Sequence, residues 1–181
     1  MARLPEIKSR ADLPEDKQHI IDDITEEQGR LGMPFTLLLH SPEVAARASH
    51  LRKYLFFDTV LPPFDKNLGL LVAARECDWQ YGWGIITNWC RESGCREEAI
   101  DVVANRRSLD SLAEEEAVIV AYGREMLVDH RVSDATFEAA RARYGDQGLT
   151  ELTTILGFYT MVGCTLNAFG VEARPDRERL P

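Results

Sequence analysis

Apolar residues recur along this chain at the three-to-four-residue spacing of helix faces, and prolines, glycines and N-capping residues punctuate them. Pro14 opens a first segment in which Ile20, Ile21 and Ile24 form a stripe that ends near Gly29 and Gly32. Ser41 and Pro42 stand as N-cap and first helical residue of a helix running to about Phe57. Pro62 and Pro63 interrupt the chain, and the pattern then predicts a helix from Phe64 to Asp78 with Leu68, Leu71 and Val72 on one side. A helix from Trp79 to about Ser93 follows, closed by Gly94. Glu97 to Ala104 reads as a short helix, and Ser111 with Glu114 forms a capping-box signature opening a helix to about Asp129. Ser133 and Asp134 open another, ending at Tyr144 and Gly145. Leu149 to about Phe169 is the most apolar segment, expected at the centre of the fold and ending at Gly170. Phe35 to Leu39 is the one run that looks like a strand, and it is too short to build a sheet. The expected fold class is all-α.

Length and charge narrow this picture. A chain of 181 residues is expected to form one domain over 1–181, with the charged, proline-punctuated residues 172–181 as a surface tail. The formal net charge of −9 argues against nucleic acid, whose phosphates need a basic face. Apolar stretches such as Leu68 to Ala74 are too short to span a bilayer, and the first residues carry no apolar leader, so a cytoplasmic protein with no membrane partner is expected. No glycine-rich phosphate loop and no His/Cys/Asp cluster at metal-ligand spacing occurs, so neither a cofactor nor a metal is expected. The four cysteines, Cys77, Cys90, Cys95 and Cys164, read as small buried hydrophobes.

Three phrases carry a resemblance. "LLLHSPEVA" (Leu37 to Ala45) looks like a helix-opening segment, "LGLLVAARECDWQYGW" (Leu68 to Trp83) like a core pair of helices, and the stretch from Asp129 to Val171 like a C-terminal third, all of the carboxymuconolactone decarboxylase / AhpD-like family. The resemblance implies an AhpD-like helical bundle that assembles as a homo-oligomer (dimer, trimer or hexamer) around a small-molecule site. Its activities are decarboxylation of a lactone acid in aromatic catabolism, or thiol peroxidation through a Cys-x-x-Cys pair. Glu76 matches the family carboxylate, and Tyr81 and Trp83 the flanking aromatics. Gly82 stands where a second acid is usual, Ile86 stands where the histidine is usual, and Tyr81 to Ile86 holds no cysteine.

These residues define the candidate chemistry. Glu76, set among Trp79, Trp83 and the last helix, is the expected acid/base, with Tyr81 as hydrogen-bond donor to a developing oxyanion and His40 as an alternative base. Trp83, Arg107, Tyr159 and Asn167 are the expected substrate contacts, the arginine pair at Arg106 and Arg107 being suited to an anion. Trp79, Trp83, Ile86 and Cys90 form one apolar stripe, which serves as core or as a subunit interface. Cys90 and Cys95 lie on either side of a helix end, so no two cysteines are expected to form a redox pair. The leading expectation is an enzyme acting on a small organic acid or lactone by proton transfer. A catalytically silent binding subunit and a thiol peroxidase are the alternatives.

Overall fold

The computed structural model describes residues 2–181, and among them helices and helical turns are the only regular elements. The chain divides into two compact units, one running to Thr59 and including Phe169–Val171, the other made of Val60–Ala168 and Glu172–Pro181.

The first unit holds α1 (His19–Gln28), α2 (Met33–Leu38) and α3 (Pro42–Lys53), the last continuing as one π-helical turn, Tyr54–Asp58. Ile20, Ile21 and Ile24 are buried, as their spacing predicts, and α1 ends at Gly29 with φ of 73°. The α1–α3 contact is pinned by polar groups: Gln28 Nε2 donates to Ser49 O at 2.8 Å, and the fully buried Ser49 hydroxyl donates to Glu27 at 2.5 Å. The strand-like run Phe35 to Leu39 is helical. Phe35, Leu37, Leu38 and Leu39 are all buried, so the apolar run marks a short helix covered on every side. A run this short has no period to distinguish the two, and Pro34 in the first turn favours the helix.

The second unit is built on α4 (Pro63–Glu76), packed by α5 (Gln80–Glu92), α6 (Glu97–Ala104), α7 (Glu114–Leu127) and α8 (Asp134–Ala168). α8 replaces two predicted helices. Only Gly145, at φ 66° and ψ −179°, leaves helical geometry, and the helix resumes before Leu149. It is long and apolar enough in composition to cross a bilayer, yet Leu152, Ile155, Leu156 and Leu166 are fully buried and face the bundle. The stripe Trp79, Trp83, Ile86 and Cys90 is likewise buried, so it forms core rather than an open interface. Residues 172–181 lie mostly at the surface and are anchored there: Leu180 is buried, Gln80 bonds both ways with its backbone, and Glu178 pairs with Arg91 at 2.8 Å.

α7 also begins differently from the capping-box reading. Ser111 ends a 3-10 turn, and the N-cap is Ala113, whose N–H donates to Glu116 at 2.9 Å. The same buried carboxylate accepts from Arg96 Nε at 3.0 Å. That hydrogen bond and the Ala113 N–H hold the Glu116 pKa below its usual 4.5. A folded-state pKa below the unfolded value means stability that is complete above about pH 4.5 and lost as pH falls through the depressed value. Glu116→Ala is expected to cost about 2–3 kcal/mol at pH 7 and to flatten the acid limb of the stability curve, measured by urea unfolding from pH 7 to pH 3. A mutant as acid-sensitive as the parent would show that the pair contributes nothing.

Candidate active site

Glu76 is the last residue of α4, and its side chain is only 2% exposed. Burying a carboxylate demands partners, and the fold supplies them from the α6–α7 connection. α6 ends at Ala104, and Arg106, at φ 50°, reverses the chain so that its guanidinium turns back onto α4. Arg106 Nε donates to Glu76 Oε2 at 2.9 Å and Nη2 to the Arg75 carbonyl at 3.3 Å. The Arg106 side chain keeps 44% of its surface open to solvent. Glu76 Oε1 is buried with no hydrogen-bond partner.

A second guanidinium comes from α7. Arg124 donates to Arg107 O at 2.7 Å and Val102 O at 2.9 Å, while its Nε is buried with no hydrogen-bond partner. Burial lowers its pKa, and the Glu76 charge works against that shift. Arg75 completes the surround, donating to Ala104 O at 2.7 Å and pairing with Asp78 at 2.5 Å. One carboxylate oxygen is thus held by an arginine that reaches solvent, and the other is buried without a hydrogen-bond partner. Such a group can accept or return a proton if a substrate reaches Oε1.

The other predicted residues are placed as follows. Tyr81 is half-buried in the first turn of α5. Trp83 is fully buried with its Nε1 unpartnered, a core residue rather than a wall open to substrate. Tyr159 is buried, its ring tilted against Trp79 at 6.4 Å and edge-on to Phe158 at 5.5 Å. Asn167 is exposed and bonds the carbonyls of Cys77 at 2.7 Å and Asp78 at 3.3 Å, tying the α4–α5 turn to α8. Arg107 pairs with Asp101 at 2.5 Å, so of the arginine pair it is Arg106 that meets Glu76. His40 belongs to the first unit, where its Nε2 lies 2.8 Å from Pro5 O. Arg124 is the candidate that sequence spacing missed, and of the arginine pair Arg107 was expected at the site where Arg106 stands. The adjacent-arginine signal was present, but only the positive φ at Arg106 decides which of the two turns inward.

At Gly82, where the resemblance implies a second acid, the structure leaves no room for a side chain. The Trp79 indole lies against Gly82 Cα, so that a Cβ there would sit 2.3 Å from the ring. The space beside Gly82 is filled by the Trp79 indole, and Ile86 is itself buried. The four cysteines are unoxidised: Cys90 and Cys95 are buried, as expected, with Cys90 Sγ donating to Asn67 O at 3.3 Å, whereas Cys77 is half-buried and Cys164 exposed.

No protein-family model and no curated protein matches the sequence. Solved structures do match in shape. An uncharacterised peroxidase-related protein from Ralstonia eutropha, described as an alkylhydroperoxidase AhpD core, aligns with a TM-score of 0.73 at 18% identity, over 97% of this chain and 93% of its own. A protein of unknown function from Agrobacterium tumefaciens, assigned to antioxidant defence as an AhpD, aligns with a TM-score of 0.67 at 18% identity, over 77% of this chain and 96% of its own. The chain has the all-α AhpD-like fold.

The Gly82 contact yields a direct check. Gly82→Ala is expected to lower stability by about 1–3 kcal/mol, because the indole must leave its packed position. Chemical denaturation together with tryptophan fluorescence measures both effects. An alanine variant of parental stability and spectrum would show that the indole does not sit on Gly82.

Proposed function

We propose that this chain is a cofactor-independent cytoplasmic enzyme acting on a small organic acid or lactone, as in aromatic-compound catabolism. The reaction is proton transfer coupled to decarboxylation, lactone opening or C–C cleavage. The observation that carries the reading is Glu76: a buried carboxylate with one oxygen on a half-exposed arginine and the other unpartnered. A substrate carboxylate docks on the solvent side of Arg106, which places its neighbouring carbon beside Glu76. Glu76 then takes or returns the proton, and the low exposure of the site strengthens both interactions. Arg124 stabilises the negative charge that develops during the step. Tyr81 is proposed as the hydroxyl donor to an oxyanion, and the remaining candidates, His40, Trp83, Arg107, Tyr159 and Asn167, act through packing or the order of the loops. A second copy of the chain is the proposed partner, with Val44, Leu51 and Tyr54 on the exposed side of α3 and its π turn offering apolar surface.

A silent, non-catalytic member is the second reading, favoured by Trp79 and Ile86 filling the places of the usual acid and histidine. The thiol peroxidase reading suits the names of the structural neighbours, but α5 carries no Cys-x-x-Cys pair. One mutant separates the first two readings. Glu76→Gln keeps the size of the side chain and an oxygen for Arg106. It is expected to lower turnover of an acid substrate by roughly 10²- to 10⁴-fold with a melting temperature close to that of the parent. An unchanged rate with a lower melting temperature would mean that Glu76 is a structural ion-pair partner.

A further inference from the structure

The exposed side of α3 carries a helix-pairing pattern that its own unit does not use. Ala45, Ala48, Ser49 and Leu55 are buried, so one side of the helix and its π turn faces into the unit. On the other side Val44, Arg47, Leu51 and Tyr54 follow at intervals of three, four and three residues, and all four are exposed. Val44 is 47%, Leu51 40% and Tyr54 42% open to solvent. This is the seam spacing of paired helices, in which each position packs against a facing helix. Single apolar side chains at a surface are ordinary, whereas three at one seam spacing make a stripe. Along it runs an open groove of about 490 Å³, lined by Ala46, Arg47, His50, Leu51 and Tyr54.

Charge selects what covers this stripe. The helix has its acid, Glu43, in the first turn and His50, Arg52 and Lys53 in the last. Arg52 is taken up within the chain, donating to Gln28 and lying over the Phe56 ring at 4.4 Å. His50 lies 3.2 Å from Glu27. Glu43 accepts from Lys17 at 2.9 Å and from Arg47 at 2.6 Å, and its side chain is still 56% exposed. Lys53 is exposed and, among the described residues, pairs with no acid. The formally charged exposed residues from Pro42 to Asp58 are Glu43 and Asp58 against Arg47 and Lys53, a balanced face on a chain of net charge −9. Two copies can therefore meet here without net repulsion. A parallel pairing would set Glu43 on Glu43 and Lys53 on Lys53, whereas an antiparallel one brings each Lys53 to the other copy's Glu43.

We propose that two copies of the chain dock through α3, antiparallel, about a two-fold axis between Arg47 and Leu51. The proposal rests on the reading that a second copy is the partner, and it adds the orientation and the register. Val44 of each copy packs against Tyr54 of the other, and Arg47 lays its methylene stem over the facing Leu51. Lys53 joins the facing Glu43 at each end. A self-complementary contact of this kind closes at two copies.

The test uses the full chain carrying Cys164→Ser, so that no exposed native thiol takes part. Val44→Cys and Tyr54→Cys are made separately in this background, oxidised with diamide alone and as a mixture, and run on a non-reducing gel. Within one helix the two positions are about 15 Å apart along the axis, too far for either variant to join its own copy across an antiparallel pair. The mixture is therefore expected to give a covalent dimer, and each variant alone a monomer. Sedimentation of Lys53→Glu, free of introduced cysteines, should show roughly tenfold weaker association, because two attractions per dimer become repulsions. Circular dichroism checks that each variant stays helical. Cross-linking of one variant alone as efficiently as the mixture, or a parent dimer that neither cross-links in the mixture nor weakens with Lys53→Glu, overturns the α3 register while leaving a second copy as the partner. A parent chain that sediments as a monomer at micromolar concentration overturns both.

Discussion

Leu70, Leu71, Val72, Ala73 and Ala74 of α4 are each 0% exposed, so this helix offers water no face along its second half. Whatever polar group ends such a helix must be satisfied by protein. Glu76 is that group, and its burial obliges the α6–α7 connection to reverse at Arg106 and bring a guanidinium to 2.9 Å. The rest of the region follows from this demand. Arg106 accepts a left-handed backbone to make the pairing, Arg75 and Arg124 anchor the surrounding carbonyls, and Asn167 fastens the turn beyond α4. The constraint that builds the core therefore also produces a shielded carboxylate, which is the raw material of acid/base chemistry.

A pair of this kind adds little net stability beyond what a well-packed apolar pair would give, because desolvation offsets much of the Coulombic gain. The structural gain from the pair is therefore small, which is consistent with the chemical role proposed for Glu76. The same reasoning separates Glu76 from Glu116. Glu116 satisfies a helix N-terminus and an arginine with both oxygens engaged, a closed structural account. Glu76 leaves Oε1 without a partner.

The helices were legible because their ends are written in the sequence: Pro42, Pro63, Gly29 and Gly94 act through local backbone preference and need no tertiary information. Boundaries that depend on neighbours were not. Phe35 to Leu39 has no periodicity to read, and Glu116 rather than Glu114 caps α7 because Arg96 from another element draws it in. Gly145 absorbs a whole expected loop in one residue. At the site, Glu76 could be found from its phrase, whereas Arg106 could not, since choosing between adjacent arginines requires the backbone angle between them. Past the end of α5, a glycine in the left-handed conformation folds the chain back so that Cys95 N–H reaches Cys90 O.

The central claim is that the Glu76–Arg106 pair forms a site for small organic acids. The most direct measurement is the thermal shift of the chain with a panel of small carboxylic acids and lactones, run beside Arg106→Ala. Ligand at about 100 times its Kd stabilises the folded state by about 2.7 kcal/mol, a readily measured shift. The account predicts that at least one acid raises the melting temperature of the parent chain and that Arg106→Ala loses the rise. A panel that leaves the parent unmoved, or an acid that stabilises parent and Arg106→Ala alike, would contradict it.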